Sequence, residues 1–230
     1  MPSDLQSIAD PLLILLAWAS GLALVAAAVA IARIVGPGFS WVTAGTAALV
    51  GLPGAIADGA WWARAGLVAV SIGMIWARNS QIAGLLFAAG GLALLVEATL
   101  FSGWISAVTA TVALGGVTGE MLLGHWYLVD PRLPRPALRN LAIVGIVGLA
   151  AEAVFQIGLG MGFSGSALGF WVLLITSVVL MAAVMAAIRY PAYSGVMAAT
   201  GLSYLALLTT LGAVFVGRAI AAGLGPFDLR

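Results

Sequence analysis

Residues 11–35 read PLLILLAWASGLALVAAAVAIARIV, and no charged side chain interrupts the run before Arg33. A stretch of ~20 apolar residues is what a helix needs to cross a hydrocarbon core of ~30 Å. The preceding segment, MPSDLQSIAD, is acidic and lacks the positive flank of a cleavable signal peptide, so the run is expected to stay as a permanent span.

The rest of the chain follows suit. Of 230 residues, 63% are hydrophobic and 7% charged, whereas soluble domains carry roughly 25% charge. So few charges cannot clothe a water-facing surface, but lipid can cover an apolar one. Glycine, proline and short polar clusters punctuate the apolar runs. They predict helices over 11–35, 39–56, 60–77, 80–102, 104–129, 136–158, 167–189 and 194–223. The expected fold is an all-α polytopic transmembrane helix bundle of about eight spans, one integral membrane domain over 1–230, with room only for short loops. Helices 39–56 and 60–77 are the weakest spans, one carrying Pro53-Gly54 and the other Arg64, and merging them leaves seven as the alternative.

All nine cations are arginine. Eight spans set Arg33, Arg78, Arg132, Arg135, Arg139 and Arg189 on one side, and Asp4, Asp10, Asp58 and Asp228 on the other. Cytoplasmic loops retain basic residues, so the arginine side is expected to face the cytoplasm of an inner or plasma membrane, with both termini outside. Trp61, Trp62, Trp104, Trp126, Tyr127, Tyr190 and Tyr193 fall at helix ends, as an interfacial aromatic belt requires.

Composition excludes several chemistries. Without lysine there is no retinal Schiff base; without cysteine there is no disulfide, thiolate metal site or catalytic thiol. A net charge of +1 gives no basis for nucleic-acid binding. The expected partners are the lipid bilayer, other membrane subunits or a second copy of the chain. Thirty glycines supply small-residue faces for helix contacts, such as Gly90, Ala93 and Glu97 on one helix and Gly145, Gly148, Glu152 and Gln156 on another.

Ionisable groups within spans are costly, so they mark partners or function. Arg64, Glu97, Glu152 and Arg218 fall at similar depth near the outward side, with Gln156 close by, and are expected to form one polar cluster. Such a cluster serves either as an ion-pair network that fixes helix register or as an anion or proton site open to the outside. Near the inner side the candidates are Glu120, His125, Tyr127 and Asp130. Thr111, Thr118 and His125 recur every seventh residue and form one stripe, while Glu120 lies ~140° from His125 and aligns with Tyr127. The ordinary reading of His125 is a backbone bond or an interfacial position; the functional one is a proton relay, a quinone contact or a single axial haem ligand. One histidine cannot supply bis-histidine haem ligation.

Two strings resemble enzyme motifs. Gly162-Phe163-Ser164-Gly165 has the GxSG pattern of rhomboid intramembrane proteases, but the single histidine precedes it and lies toward the opposite membrane face. His125 and Asp130 have the spacing of an HxxxxD acyltransferase box without its surrounding blocks. Function therefore divides between a non-catalytic subunit, anchor or assembly partner of a larger membrane complex, such as a respiratory one, and a small-solute or ion transporter using intramembrane Glu and Arg residues.

Overall fold

The computed structural model describes residues 10–57, 59–130, 133–163, 165 and 167–223. Asp4, Asp58, Arg132, Ser164 and Asp228, all used above, lie outside the described residues. Eight α-helices occur among those described: α1 Pro11–Ile31, α2 Pro37–Ala55, α3 Trp61–Ile75, α4 Ser80–Ser102, α5 Trp104–Val129, α6 Arg135–Gly158, α7 Ala167–Arg189 and α8 Tyr193–Ala221. All but α2 and α3 are long and apolar enough to cross a bilayer. At 15 residues, α3 extends about 22 Å, and α2 carries Pro53 and several glycine and hydroxyl residues.

Local chemistry places the ends. Asp10 caps α1 by accepting from the Leu12 N–H at 2.9 Å, and Asn79 caps α4 from the Ile82 N–H at 3.3 Å. Prolines open α1 and α2, where the missing N–H costs nothing. The first helix stops at Ile31 rather than running to Val35. Arg33 adopts φ 52°, and the Arg33 and Ile34 N–H groups fold back onto Ala30 and Val29, a left-handed Schellman ending.

Two rings of four helices make up the bundle. In α1–α4, the first helix packs on the second and fourth, and the third packs on both of those; α5–α8 repeat the arrangement. The rings join chiefly through α1 against α5, which are also the two most enclosed helices. A Cβ on Gly21 would lie 2.7 Å from the Gly115 Cα and closer still to the Thr111 carbonyl. The same device seats Gly116 against Gly145 of α6 and Gly66 against Gly90 of α4.

Neighbouring helices alternate in direction. Arg33, Arg78, Arg135, Arg139 and Arg189 gather at one end of the bundle, where Gln81 reaches the Ile31 carbonyl and Arg135 reaches Ile188. Asp10, Arg64, Glu97, Glu152 and Arg218 occupy the other end. Trp61, Trp62, Trp104, Tyr190 and Tyr193 are exposed near helix ends, but Tyr127 is buried and takes no part in an outer aromatic belt.

Gly21→Val should destabilise the protein by roughly 1–3 kcal/mol, because the backbone opposite cannot yield. Gly201→Ala, which meets nothing within 4 Å, should stay within about 0.5 kcal/mol of wild type. Thermal unfolding of both variants in one detergent provides the comparison.

Candidate functional site

Two separate polar sites stand at the Asp10 end. In the first, Glu152 and Gln156 project one turn apart from the buried face of α6, which Gly148 lets lie against the α5 backbone at Ala113. Arg218 enters from the last turns of α8 with 1% of its surface exposed. Its guanidinium forks across the carboxylate, Nη1 to Glu152 Oε1 at 2.6 Å and Nη2 to Oε2 at 3.3 Å. Nη2 also donates to the Ser106 carbonyl at 2.6 Å, and Nε donates to the Ser106 hydroxyl at 3.2 Å. Gln156 donates to Glu152 Oε1 at 3.3 Å, and the Phe155 ring lies 5.6 Å from the guanidinium carbon. This planar, two-pronged geometry suits arginine and not lysine.

The second site belongs to the α2–α3 turn. α3 begins at Trp61 without a side-chain cap from Ala60. Glu97 of α4 supplies one from outside the helix, accepting from the Ala63 N–H through Oε2 at 3.0 Å. Arg64 turns back to the end of α2, donating to the Ala55 and Ala57 carbonyls at 2.9 Å each, with its guanidinium carbon 5.2 Å from the Trp61 ring centre. A carboxylate thus meets a helix N-terminus and a guanidinium meets a helix C-terminus, the favourable sense of both helix dipoles. Glu97 is 2% exposed and borders a cavity of about 140 Å³ with Asp10, Leu13, Leu16 and Phe101. Among the described residues none donates to its Oε1.

The five outward-side residues therefore do not share one network. Glu152, Gln156 and Arg218 come together, while Arg64 and Glu97 are each taken by backbone groups that nearby helix ends leave unpaired. Sequence reasoning missed Ser106 and Thr109, which meet Arg218 from α5. Their signal was a hydroxyl pair three residues apart at the same end of the bundle.

Toward the other end, the seven-residue stripe of α5 faces α1. Thr111 donates to the Ala17 carbonyl at 3.1 Å, and Trp18 Nε1 donates to the Thr118 hydroxyl at 2.9 Å. His125, next on the stripe, is exposed. Glu120 is buried on a different face and takes a short hydrogen bond from Ser203 of α8. Among the described residues, its Oε1 and the hydroxyl of buried Tyr127 have no hydrogen-bond partner. Glu120 and His125 thus occupy different environments and form no acid–base pair. Asp130 ends α5 and is half-buried. Gly162 accepts from Trp171 near the start of α7, at the end of the bundle away from His125, so the GxSG string has no histidine beside it. No group of three or more metal-ligating side chains occurs among the described residues.

No family model, curated protein or solved structure matches this chain.

Removing one member of the buried pair, as in Glu152→Gln or Arg218→Met, should cost roughly 3–5 kcal/mol, whereas Glu152→Leu with Arg218→Met should recover most of it. Equilibrium unfolding of the three variants in mixed micelles measures this coupling.

Proposed function

We propose that this chain is a multi-pass protein of the cell membrane that moves a proton or a small cation across it, with Glu97 as the binding carboxylate. The environment of Glu97 carries the reading. Its side chain is almost wholly buried, one oxygen serves the α3 N-terminus, and it borders a cavity shared with Asp10 at the end of the bundle. Burying a carboxylate away from water is expensive, and a helix cap alone needs one acceptor oxygen, which a neutral Gln supplies equally. A second acidic group, at Asp10, makes the cavity attractive to positive charge.

On this reading all eight helices cross the bilayer as one domain, the α2–α3 hairpin being its thinnest part. The arginine end lies in the cytoplasm and both termini lie outside. The gathering of five described arginines at one end supports that direction. The repeated ring of four helices, joined along α1 and α5, supplies two bodies that can shift against each other, as in transporters built from parallel repeats.

One observation favours the other reading, a subunit or anchor that docks further helices or a second copy. Gly201 of α8 is open amid exposed Met197, Tyr204, Leu205 and Leu208, a face on which another helix backbone finds close approach.

Reconstitution into sealed vesicles separates the two. Wild type should dissipate an imposed proton or sodium gradient faster than protein-free vesicles, and Glu97→Gln should slow that flux by about tenfold or more, the loss of one charged contact. Ser71→Ala, on an exposed face of α3, should leave it unchanged. Wild-type flux equal to that of empty vesicles sinks the transport reading and leaves the subunit.

A further inference from the structure

A cavity of about 170 Å³ at the arginine end is bordered by Arg135, Pro136 and Arg139 of α6 and by Ile188 and Arg189 of α7. The three guanidiniums differ in what they already hold. Arg135 is spent on structure: it donates to the carbonyls of Ile188 at 3.3 Å, Tyr190 at 2.5 Å and Pro191 at 2.5 Å, fastening α6 to the α7–α8 turn. Those acceptors are neutral, so the bonds orient its charge without cancelling it. Arg139 and Arg189 make no hydrogen bond or ion pair with any described residue, and both are exposed. Neither Asp130 nor Glu120, the acidic side chains toward this end among the described residues, borders the cavity. The first turn of α6 forms one wall, so the positive end of that helix faces the same space.

We propose that this cavity binds a phosphate group, held by Arg139 from α6 and Arg189 from α7 with Arg135 behind them. A phosphate presents several acceptor oxygens, and guanidinium forks match that geometry better than any single-point anion does. Because the two free arginines come from different helices, one phosphate would bridge α6 and α7, which pack on each other less closely than α5 on α6 or α7 on α8. The depth fits a lipid phosphodiester. Tyr190 and Tyr193, 60% and 44% exposed, stand beside the site on the α7–α8 turn, where aromatic residues mark the headgroup layer. Free inorganic phosphate offers the same chemistry, so the test separates the two sources. This site lies at the opposite end from Glu97 and is independent of the transport reading.

The full chain, purified in micelles containing phosphatidylcholine, is titrated with phosphatidylglycerol and, separately, with inorganic phosphate, and thermal unfolding is followed. Phosphatidylglycerol should raise the Tm of wild type, and Arg139→Gln with Arg189→Gln should weaken the apparent affinity by about tenfold or more, the loss of two charge-assisted contacts. Arg78→Gln removes an arginine from the same end but outside the cavity, and should respond as wild type does. Protection of wild type by inorganic phosphate, lost in the double variant, assigns the site to the free anion. Without ligand, the double variant should unfold near the wild-type Tm, because neither side chain holds a partner among the described residues. The proposal is overturned if neither ligand raises the Tm, if the double variant responds like wild type, or if Arg78→Gln weakens the response equally.

Discussion

Hydrocarbon outside the bundle leaves two apolar helices little to gain by burying area against each other, so contact distance and hydrogen bonding must hold them together. The seam between α1 and α5 meets that requirement. Gly21 and Gly115 let the backbones touch, and within two turns the Thr111–Ala17 and Trp18–Thr118 hydrogen bonds tie the same pair. Both polar sites hang from this seam. α5 carries Ser106 and Thr109 to Arg218. α1 holds α4 through Ser20, which donates to the Gly91 carbonyl at 2.8 Å, and α4 in turn carries Glu97 to α3. Each site is complete within its own ring of four, so the seam fixes where the two sites stand relative to each other and not the bonds inside either.

The buried charges at that end are neutralised in two different ways. Arg218 and Glu152 cancel each other, with neutral acceptors completing the guanidinium's shell. Such a pair gains little over apolar residues but makes any half-replaced state costly, so it fixes the register of α6 against α8. Arg64 and Glu97 instead meet partial charges at helix ends. A helix dipole offers roughly half an elementary charge at each end, which leaves a carboxylate there with attraction to spare for a cation.

Much of the fold was legible because the punctuation is chemical. Asn79, Gly103 and Pro136 mark boundaries that proline geometry, side-chain capping and positive φ dictate. Where the punctuation misled, the reason is local: Ile34 and Val35 prolong the apolar run past Arg33, a non-glycine residue in the left-handed conformation that glycine usually announces. Depth along a helix could be read by counting residues, so the polar residues of the Asp10 end were placed at one level. Rotation between helices could not. Periodicity gives the angle of Glu97 about its own axis but says nothing of which neighbour that face meets, and the unpaired N–H groups of α3 lie beyond any pattern within α4. The same limit hid the repeated ring of four, which the contacts display and no sequence repeat announces.

The shortness of α3 explains why an acceptor from α4 stands where Glu97 does. On the proposed reading α3 crosses the bilayer, and a 15-residue helix in a layer of ~30 Å ends inside it, where its first N–H groups lack both water and an intrahelical acceptor. An anion from a neighbouring helix is a strong remedy in a low dielectric. On the proposed reading the remedy is also a coupling. A cation or proton arriving at Glu97 draws charge from the oxygen that accepts from Ala63, weakening the cap and loosening the start of α3 against α4. Arg64 sits one residue further on and closes α2 through Ala55 and Ala57, so the same loosening passes to the α2–α3 turn. Occupancy of one carboxylate thereby acts on the one hairpin whose helices lack the length or apolar character of the other six.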